Sequence, residues 1–504
     1  MLLLYFILQK DTYSKLPNGN LYYQQCLEPA RVPPNGLLGW KDMQDLLFGK
    51  RPFVESTLGP RFKKHGNSFT LSLLNQRIFC TSEPQNLKSI LVDNYECFGA
   101  GQLRAAAFRP LTGEGILAID GDKWKKTSKL LQTFFSKNTG RFLPRIDSRL
   151  RSLISDLLRQ PTSPEGNISI EITGVVEKLA MESVIEIAIG SELADFCKIE
   201  QRFNNDGMNF MDACRIGSTG AGLRALFPSP LIMWNSRRFT LACTIVRRWF
   251  ATNATLLMER VTETVSSQYD RNAMNLGLEI AKLFDRHEDV SGHLTSATIA
   301  GFHGPSALIE FALELLARNP TAQRKARLEI LQHFGGYDSD SPEAFSQSAL
   351  KNCSYLQSVL KETLRLYPAG AIATRKASKD CILPAGGGIN GESPVLIRQG
   401  ETVLYCSWAM HRRKDIWGPD AEAFIPERWQ AEPRPWSYLP FSAGRRMCPG
   451  GELGLLLASA TIARLLQAFK KIELPPNESL ESPIRTFYKL SLGARRAQLR
   501  LTPI

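Results

Sequence analysis

The chain has 504 residues, 43% hydrophobic and 22% charged, with 62 Lys plus Arg against 49 Asp plus Glu for a formal charge of +13. That balance excludes a chain too polar to form a core and allows one large domain. Its basic clusters are small and scattered and its ten cysteines form no C-x-x-C pair, which argues against a nucleic-acid partner, a disulfide framework and a zinc ribbon, and leaves an anionic membrane surface or an acidic redox protein as partners.

The N-terminus, Met1-Leu2-Leu3-Leu4-Tyr5-Phe6-Ile7-Leu8, is apolar and turns polar at Gln9. It is far shorter than the about twenty residues that span a bilayer, and no basic region or cleavage site marks a signal peptide. The expectation is a short anchor-like segment and linker over residues 1–29 and one large domain over residues 30–504, entered through the stiff Pro33-Pro34 connection. From about Ile168 helical periodicity dominates. Residues 296–318 predict a long apolar helix ending before Pro320, interrupted by Pro305, which should kink it. Thr321–Phe334 predicts a second helix, stopped by Gly335 and Gly336. Tyr355–Leu366 predicts a third, with Leu356, Val359, Leu360 and Leu364 on one face. Short strands are expected at Ile382–Pro384, Val395–Ile397 and Thr402–Tyr405, with a turn region at Gly386-Gly387-Gly388. Residues 415–447 hold five prolines and predict irregular chain. A last helix is expected from about Glu452 to Lys470. The predicted fold class is mainly α with a small β region.

The stretch Phe441-Ser442-Ala443-Gly444-Arg445-Arg446-Met447-Cys448-Pro449-Gly450 places one cysteine between glycines and arginines, directly before that last helix. This suits a thiolate bound to a heme iron. Cys448 would supply a soft anionic sulfur. The helix N-terminus behind it presents unpaired N–H groups and positive dipole, which would keep the sulfur ionised. Gly444 and Gly450 permit tight turns and close backbone approach. Arg446 can pair with a heme propionate, and Phe441 can shield the sulfur from water. A buried structural cysteine is the plainer alternative, and the density of fixed positions argues against it. Elsewhere, Glu362 and Arg365 lie three apart on one helix face, alone worth only a few tenths of a kcal/mol. Pro426-Glu427-Arg428-Trp429 adds a second arginine.

The pattern F-x-x-G-x-R-x-C-x-G resembles the heme loop of the cytochrome P-450 superfamily. The order of helix-rich body, late sheet, coil, cysteine loop and helix resembles that family's fold over residues 30–504. The stretches Trp408–Asp415 and Trp417–Asp420 look closest to fungal alkane and fatty-acid hydroxylases. The resemblance implies Cys448 as the axial ligand of heme b (iron protoporphyrin IX), with Arg446, Phe441, Gly444 and Gly450 around it. It implies a buried structural network of Glu362, Arg365 and Arg428. It points to Arg375 and the Trp124 helix as propionate contacts, although the family's W-x-x-x-R arginine is Ser128 here, with Lys125 or Lys129 as point-charge substitutes. The segment Ala300–Ser306 resembles the family's A-G-x-[D/E]-T motif, with His303 at the acid position and Gly304 at the threonine position. Proton delivery is then open between His303, Ser306 brought round by a kink, and a substrate hydroxyl or ordered water. A satisfied core histidine is the plainer reading of His303. Leu226–Trp234 reads either as a membrane-touching loop beside the substrate entrance or as a buried helix connection.

The implied function is a heme-thiolate monooxygenase that hydroxylates an apolar, lipid-like or secondary-metabolite substrate with O2. Electrons come from a separate NADPH-dependent reductase, since the chain carries no Rossmann glycine motif. The family also implies a monomer on the cytosolic face of the endoplasmic reticulum, though its microsomal members carry a full anchor that this N-terminus lacks. Two alternatives stand beside it: a heme-thiolate isomerase or dehydratase without productive oxygen activation, and a non-catalytic heme- or lipid-binding protein.

Overall fold

The computed structural model describes residues 26–35, 39–73, 76–190, 207–226, 236–264, 275–338, 345–488 and 490–504. Residues 1–25 and 227–235 lie outside it, so the N-terminal segment and most of Leu226–Trp234 receive no structural account. Among the described residues helix accounts for 58% and strand for 14%, which is the expected mainly α class with a small β region. The chain groups into two compact units.

The first unit takes residues 1–100, 372–410 and 435–437. Its strands are β1 (Arg31–Val32), β2 (Ser68–Leu73), β3 (Gln76–Thr81), β4 (Phe98–Gly99), β5 (Ala373–Ala377), β6 (Cys381–Gly387), β7 (Ser393–Ile397) and β8 (Thr402–Tyr405). Six of them form one sheet in the order β1-β2-β3-β8-β5-β4, and β6 and β7 form a separate hairpin. β6, β7 and β8 follow the sequence reading; β1 to β5 were not called as strands. β2 reads Ser68-Phe69-Thr70-Leu71-Ser72-Leu73, a strict polar–apolar alternation that the sequence reading passed over, and nearly all of it is buried. The glycine run needs correction. Gly387 closes β6, and the turn follows at residues 388–391. Gly386, at φ +115, lies so near the Phe79 ring and Ser68 that an added Cβ would sit 2.8 Å from each. The glycine there serves close backbone packing as well as an unusual φ.

The second unit takes residues 101–371, 411–434 and 438–504. Its long helices are α1 (Gln102–Thr112), α2 (Gly121–Asn138), α3 (Leu143–Leu158), α4 (Ile172–Ile189), α5 (Phe210–Leu226), α6 (Arg237–Thr264), α7 (His287–Arg318), α8 (Pro320–Phe334), α9 (Ser354–Leu366) and α10 (Gly451–Ala468). The core is built on α7, which packs against α4, α6 and α10. By length and composition α7 could cross a membrane, but its most apolar window is 83% buried within the protein. It begins at His287 rather than residue 296, because its first turns are polar and hide the apolar repeat. Glu288 and Asp289 there face the positive helix end. It runs on through Pro305 without a break in the helix.

The punctuation around α8 is as predicted, with Pro320 at its start and Gly335 at φ +72 past its end. Two boundaries need correction. Ile168–Glu171 is a strand, not the start of a helix. It pairs with Gln498–Pro503, which also pairs with Phe469–Glu473. That last strand is why α10 stops at Ala468. Both segments alternate apolar and polar residues, Ile168-Ser169-Ile170-Glu171 and Gln498-Leu499-Arg500-Leu501, but over only four to six residues, beside the longer helical pattern of α4.

Candidate active site

The coil after Tyr438 folds back on itself before α10. Ser442 at φ +61 and Gly444 at φ +67 are both left-handed, and Gly444–Arg446 forms a 3-10 turn. The Ser442 N–H donates to the Leu439 carbonyl at 3.3 Å, and the Cys448 N–H donates to the Phe441 carbonyl at 3.0 Å. Cys448 is thereby held two residues ahead of Gly450, the N-cap of α10. Gly444 meets the expected need for unusual backbone. Gly450 does not: its φ of −93 suits any residue, and an added Cβ would meet no atom within 4 Å. The tight approach falls one position later, where a Cβ on Gly451 would lie 3.3 Å from the Phe441 ring. Phe441 thus packs on the first turn of α10, and Gly451 is a site residue that the motif did not mark.

Cys448 is exposed as a residue, yet its sulfur lies against enough protein to be desolvated. Burial pushes the thiol up from its ordinary value, and the hydrogen bond to the Gly450 backbone offsets this only in part. A bound metal would ionise the sulfur, since a coordinating thiol is deprotonated outright. Among the described residues no group of three or more His, Cys, Asp or Glu gathers to hold a metal. A metal at Cys448 would have one protein ligand, as heme iron accepts.

Arg446 reaches from the loop to α2. Its guanidinium lies 4.1 Å from the Trp124 ring centroid and pairs with Asp120, just ahead of that helix. Two expected cofactor contacts thus come together, with Asp120 as a third member. The second propionate position is less well served: Ser128 is buried and accepts from Gln132, while Lys125 pairs in solvent with Asp122 and Lys129 is exposed. Arg446 Nε and Ser442 Oγ are buried without a hydrogen-bond partner. Unpaired donors beside a thiol, next to backbone that leaves room at Gly450, fit a planar group with an anionic edge. Heme meets that description: Cys448 would hold its iron, Arg446 would face a propionate and Phe441 would cover the sulfur. Arg375 belongs to the first unit. It is buried in β5, its Nη1 donates to the Thr374 carbonyl at 2.9 Å, and its guanidinium lies 5.5 Å from the Tyr405 ring centroid.

The predicted network is present in full. Glu362 accepts from Arg365 Nε at 2.9 Å and Nη2 at 2.8 Å, and from Arg428 Nε at 2.8 Å. It also accepts from the Ile425 N–H at 2.9 Å and Trp429 Nε1 at 3.0 Å. Glu362 and Arg365 are both 0% exposed, so the ion pair stands without help from water. Arg365 Nη1 holds the carbonyls of His411 and Ala421, tying α9 to the coil that leads to the cysteine loop.

On α7, His303 is buried and its Nε2 lies 2.6 Å from Ser218 Oγ on α5. Ser218 in turn donates to the Cys214 carbonyl. A hydroxyl has one hydrogen, so His303 Nε2 is the donor of this pair. The chain ends on a backbone carbonyl, which cannot pass a proton onward. The Ser306 hydroxyl likewise donates to the Phe302 carbonyl at 2.5 Å. Both expected proton donors have these hydrogens engaged inside the protein, and the His303–Ser218 pair acts as a tie between helices. Gly304 is different: an added Cβ would meet nothing within 4 Å. Pro305 beside it lies 3.4 Å from the place of a Cβ on Gly454, so this part of α7 rests against the early turns of α10.

The match to the family described as Cytochrome P450 covers residues 42–501, which takes in every helix named above and the cysteine loop. Among curated proteins, cytochrome P450 monooxygenase g430 of a Fusarium species is 31% identical over 82% of this chain and 74% of its own. Cytochrome P450 52A12 of Debaryomyces hansenii is 28% identical over 90% of this chain and 89% of its own. Cytochrome P450 52A1 of Candida tropicalis is 30% identical over 84% and 78%. With its cysteine loop, buried Glu-Arg-Arg network and helical core, the chain belongs to the cytochrome P450 family of heme-thiolate oxidoreductases.

Proposed function

We propose that the chain is a monooxygenase that hydroxylates an apolar, lipid-like or secondary-metabolite substrate, with electrons from a separate NADPH-dependent reductase. The cysteine loop carries the reading: a single thiol ahead of α10, beside an arginine stacked on Trp124 that has one buried N–H unpaired. Bound heme supplies oxygen activation and insertion of one oxygen atom into the substrate. The chain's own residues bind and orient. Cys448 holds the iron, Phe441 keeps water from the sulfur, and Arg446 with Trp124 fixes the edge of the ring. With His303 Nε2 and the Ser306 hydroxyl engaged internally, the open side of Gly304 offers solvent or a substrate hydroxyl a route for the proton that oxygen chemistry needs. The resemblance to fungal alkane and fatty-acid hydroxylases favours a long alkyl chain. Such a substrate partitions from lipid, which suits a place on the endoplasmic reticulum membrane.

The test begins with Cys448→Ala. The wild type, reduced under carbon monoxide, is expected to absorb at about 450 nm, and the variant to lose its pigment. A variant with unaltered pigment would overturn the ligand assignment. Turnover across fatty acids, alkanes and polyketides is expected to require NADPH and a fungal reductase. Turnover without them would favour the isomerase or dehydratase reading, which gains support from His303 and Gly304 standing where an acid–alcohol pair would be, with Pro305 next to them.

A further inference from the structure

We propose that His411 is a positioning residue for the cysteine loop: a neutral imidazole that ties the backbone at the root of the loop to the carbonyl end of α9. The proposal rests on the reading of Cys448 as the heme ligand. His411 is fully buried. Its Nδ1 lies 3.2 Å from the Arg365 carbonyl, and its Nε2 lies 3.0 Å from the Leu439 N–H. A carbonyl only accepts and an amide N–H only donates. The tautomer is therefore set: Nδ1 carries the hydrogen and Nε2 accepts.

The connections beyond Leu439 lead to the backbone of Cys448. The Leu439 carbonyl takes the Ser442 N–H, and the Phe441 carbonyl takes the Cys448 N–H. On the other side, the main-chain carbonyl of His411 takes Arg365 Nη1 at 2.7 Å. His411 thus meets Arg365 twice, by ring and by backbone, and reaches the loop through ring Nε2. The motifs that mark the network do not include it.

The imidazole sits among Trp417 and Tyr438, with ring centroids 6.5 and 5.4 Å away. The charged groups around it are Arg365 with its partner Glu362 on α9, Arg412 beside it, and Arg428 with Asp420 in the coil. Burial and the charges of Arg365 and Arg412 oppose a proton on Nε2. If one is forced on, Nε2–H faces the Leu439 N–H, two donors meet, and the tie is lost.

The test uses the full heme-loaded protein and two variants. His411→Phe fills the space without donor or acceptor. His411→Gln keeps both. At equal heme content, H411F is expected to reduce the thiolate band of the reduced carbon monoxide complex about fivefold, and H411Q to restore it. An unchanged band in H411F would overturn the proposal. Should H411F fail to fold, acid titration of wild type and H411Q decides, with far-UV circular dichroism marking global unfolding. The wild-type band is expected to fade at a pH about one unit higher than that of H411Q, because only the wild type has a group to protonate there. Coincident titrations would overturn the proposal. C448A, run alongside, separates the failures: retained pigment in it removes the ligand reading, whereas lost pigment with an unchanged H411F removes only the role of His411.

Discussion

Replacing Arg365 by Lys keeps the charge of the buried network and removes its fork, so the cost reports geometry rather than charge. All five guanidinium N–H groups are in use. Nε and Nη2 reach the two Glu362 oxygens at 2.9 and 2.8 Å. Nη1 reaches the carbonyls of His411 and Ala421 at 2.7 and 2.5 Å, and Nη2 also reaches that of Ala423 at 3.0 Å. A lysine ammonium offers three donors from one point, so at least two acceptors lose their partner. His411 and Ala421 are 0% exposed, and water cannot take its place there. At about 1–3 kcal/mol for each buried group left unsatisfied, R365K should destabilise the fold by roughly 2–6 kcal/mol. That is a large share of ordinary stability. The assay is guanidinium denaturation at fixed protein and heme concentration, followed by tryptophan fluorescence. Trp417, 5.2 Å from the Arg365 guanidinium, and Trp429, bonded to Glu362, report on the site itself. Glu362→Ala, which leaves buried arginine charge unpaired, should cost about 3–5 kcal/mol. R365K within about 0.5 kcal/mol of wild type would refute the reasoning, because it would mean the fork contributes nothing beyond its charge.

Gly304→Thr meets open space and should fold with stability within about 1 kcal/mol of wild type, while lowering peroxide release per NADPH consumed; a misfolded variant or unchanged release would count against the proton-supply reading. Stability should fall on mild acidification. His411 and His293 are buried and held neutral, at about 3 and about 4, by desolvation above all. The unfolded chain takes up those protons below its ordinary value of about 6.5, so the stabilisation is full above that pH and is lost as pH falls toward the folded values. At pH 5 the two together should cost about 4 kcal/mol relative to pH 8, and a denaturation midpoint that stays level or rises would refute it. Arg446→Lys retains charge but not the planar stack on Trp124, and should weaken heme retention about tenfold in a transfer assay to apomyoglobin, with equal transfer rates as the refuting result.

Much of this protein was legible where chemistry is local. The cysteine loop, the pairing of Glu362 with Arg365 and the helices that end at Pro320 and Gly335 each announce themselves within a few residues. Caps, punctuation and motif spacing are short-range facts. Arg428 was reached only through the family resemblance, since sixty-odd residues separate it from Glu362. The strands at Ile168–Glu171 and Gln498–Pro503 were missed because their alternation is short, and only their pairing across more than three hundred residues makes it a sheet. Asp120, Gly451 and Ser218 carried no signal, and His411 stood out only as part of Trp408–Asp415 and not for its role, since an imidazole between two backbone groups or a glycine under a ring looks ordinary in a string of letters.

The order of residues by itself pointed to one cysteine as a metal ligand, placed Glu362 and Arg365 on one helix face and marked the helices around Pro320 and Gly335, because those depend on residue type and on neighbours in the chain. Only the tertiary structure decided that Arg446 rests on Trp124, that the hydrogens of His303 and Ser306 are taken up inside the protein, and that a histidine joins the charged network to the loop. Hydrogen bonds and ring contacts form between groups brought within a few ångströms, and chain separation places no limit on which groups those are.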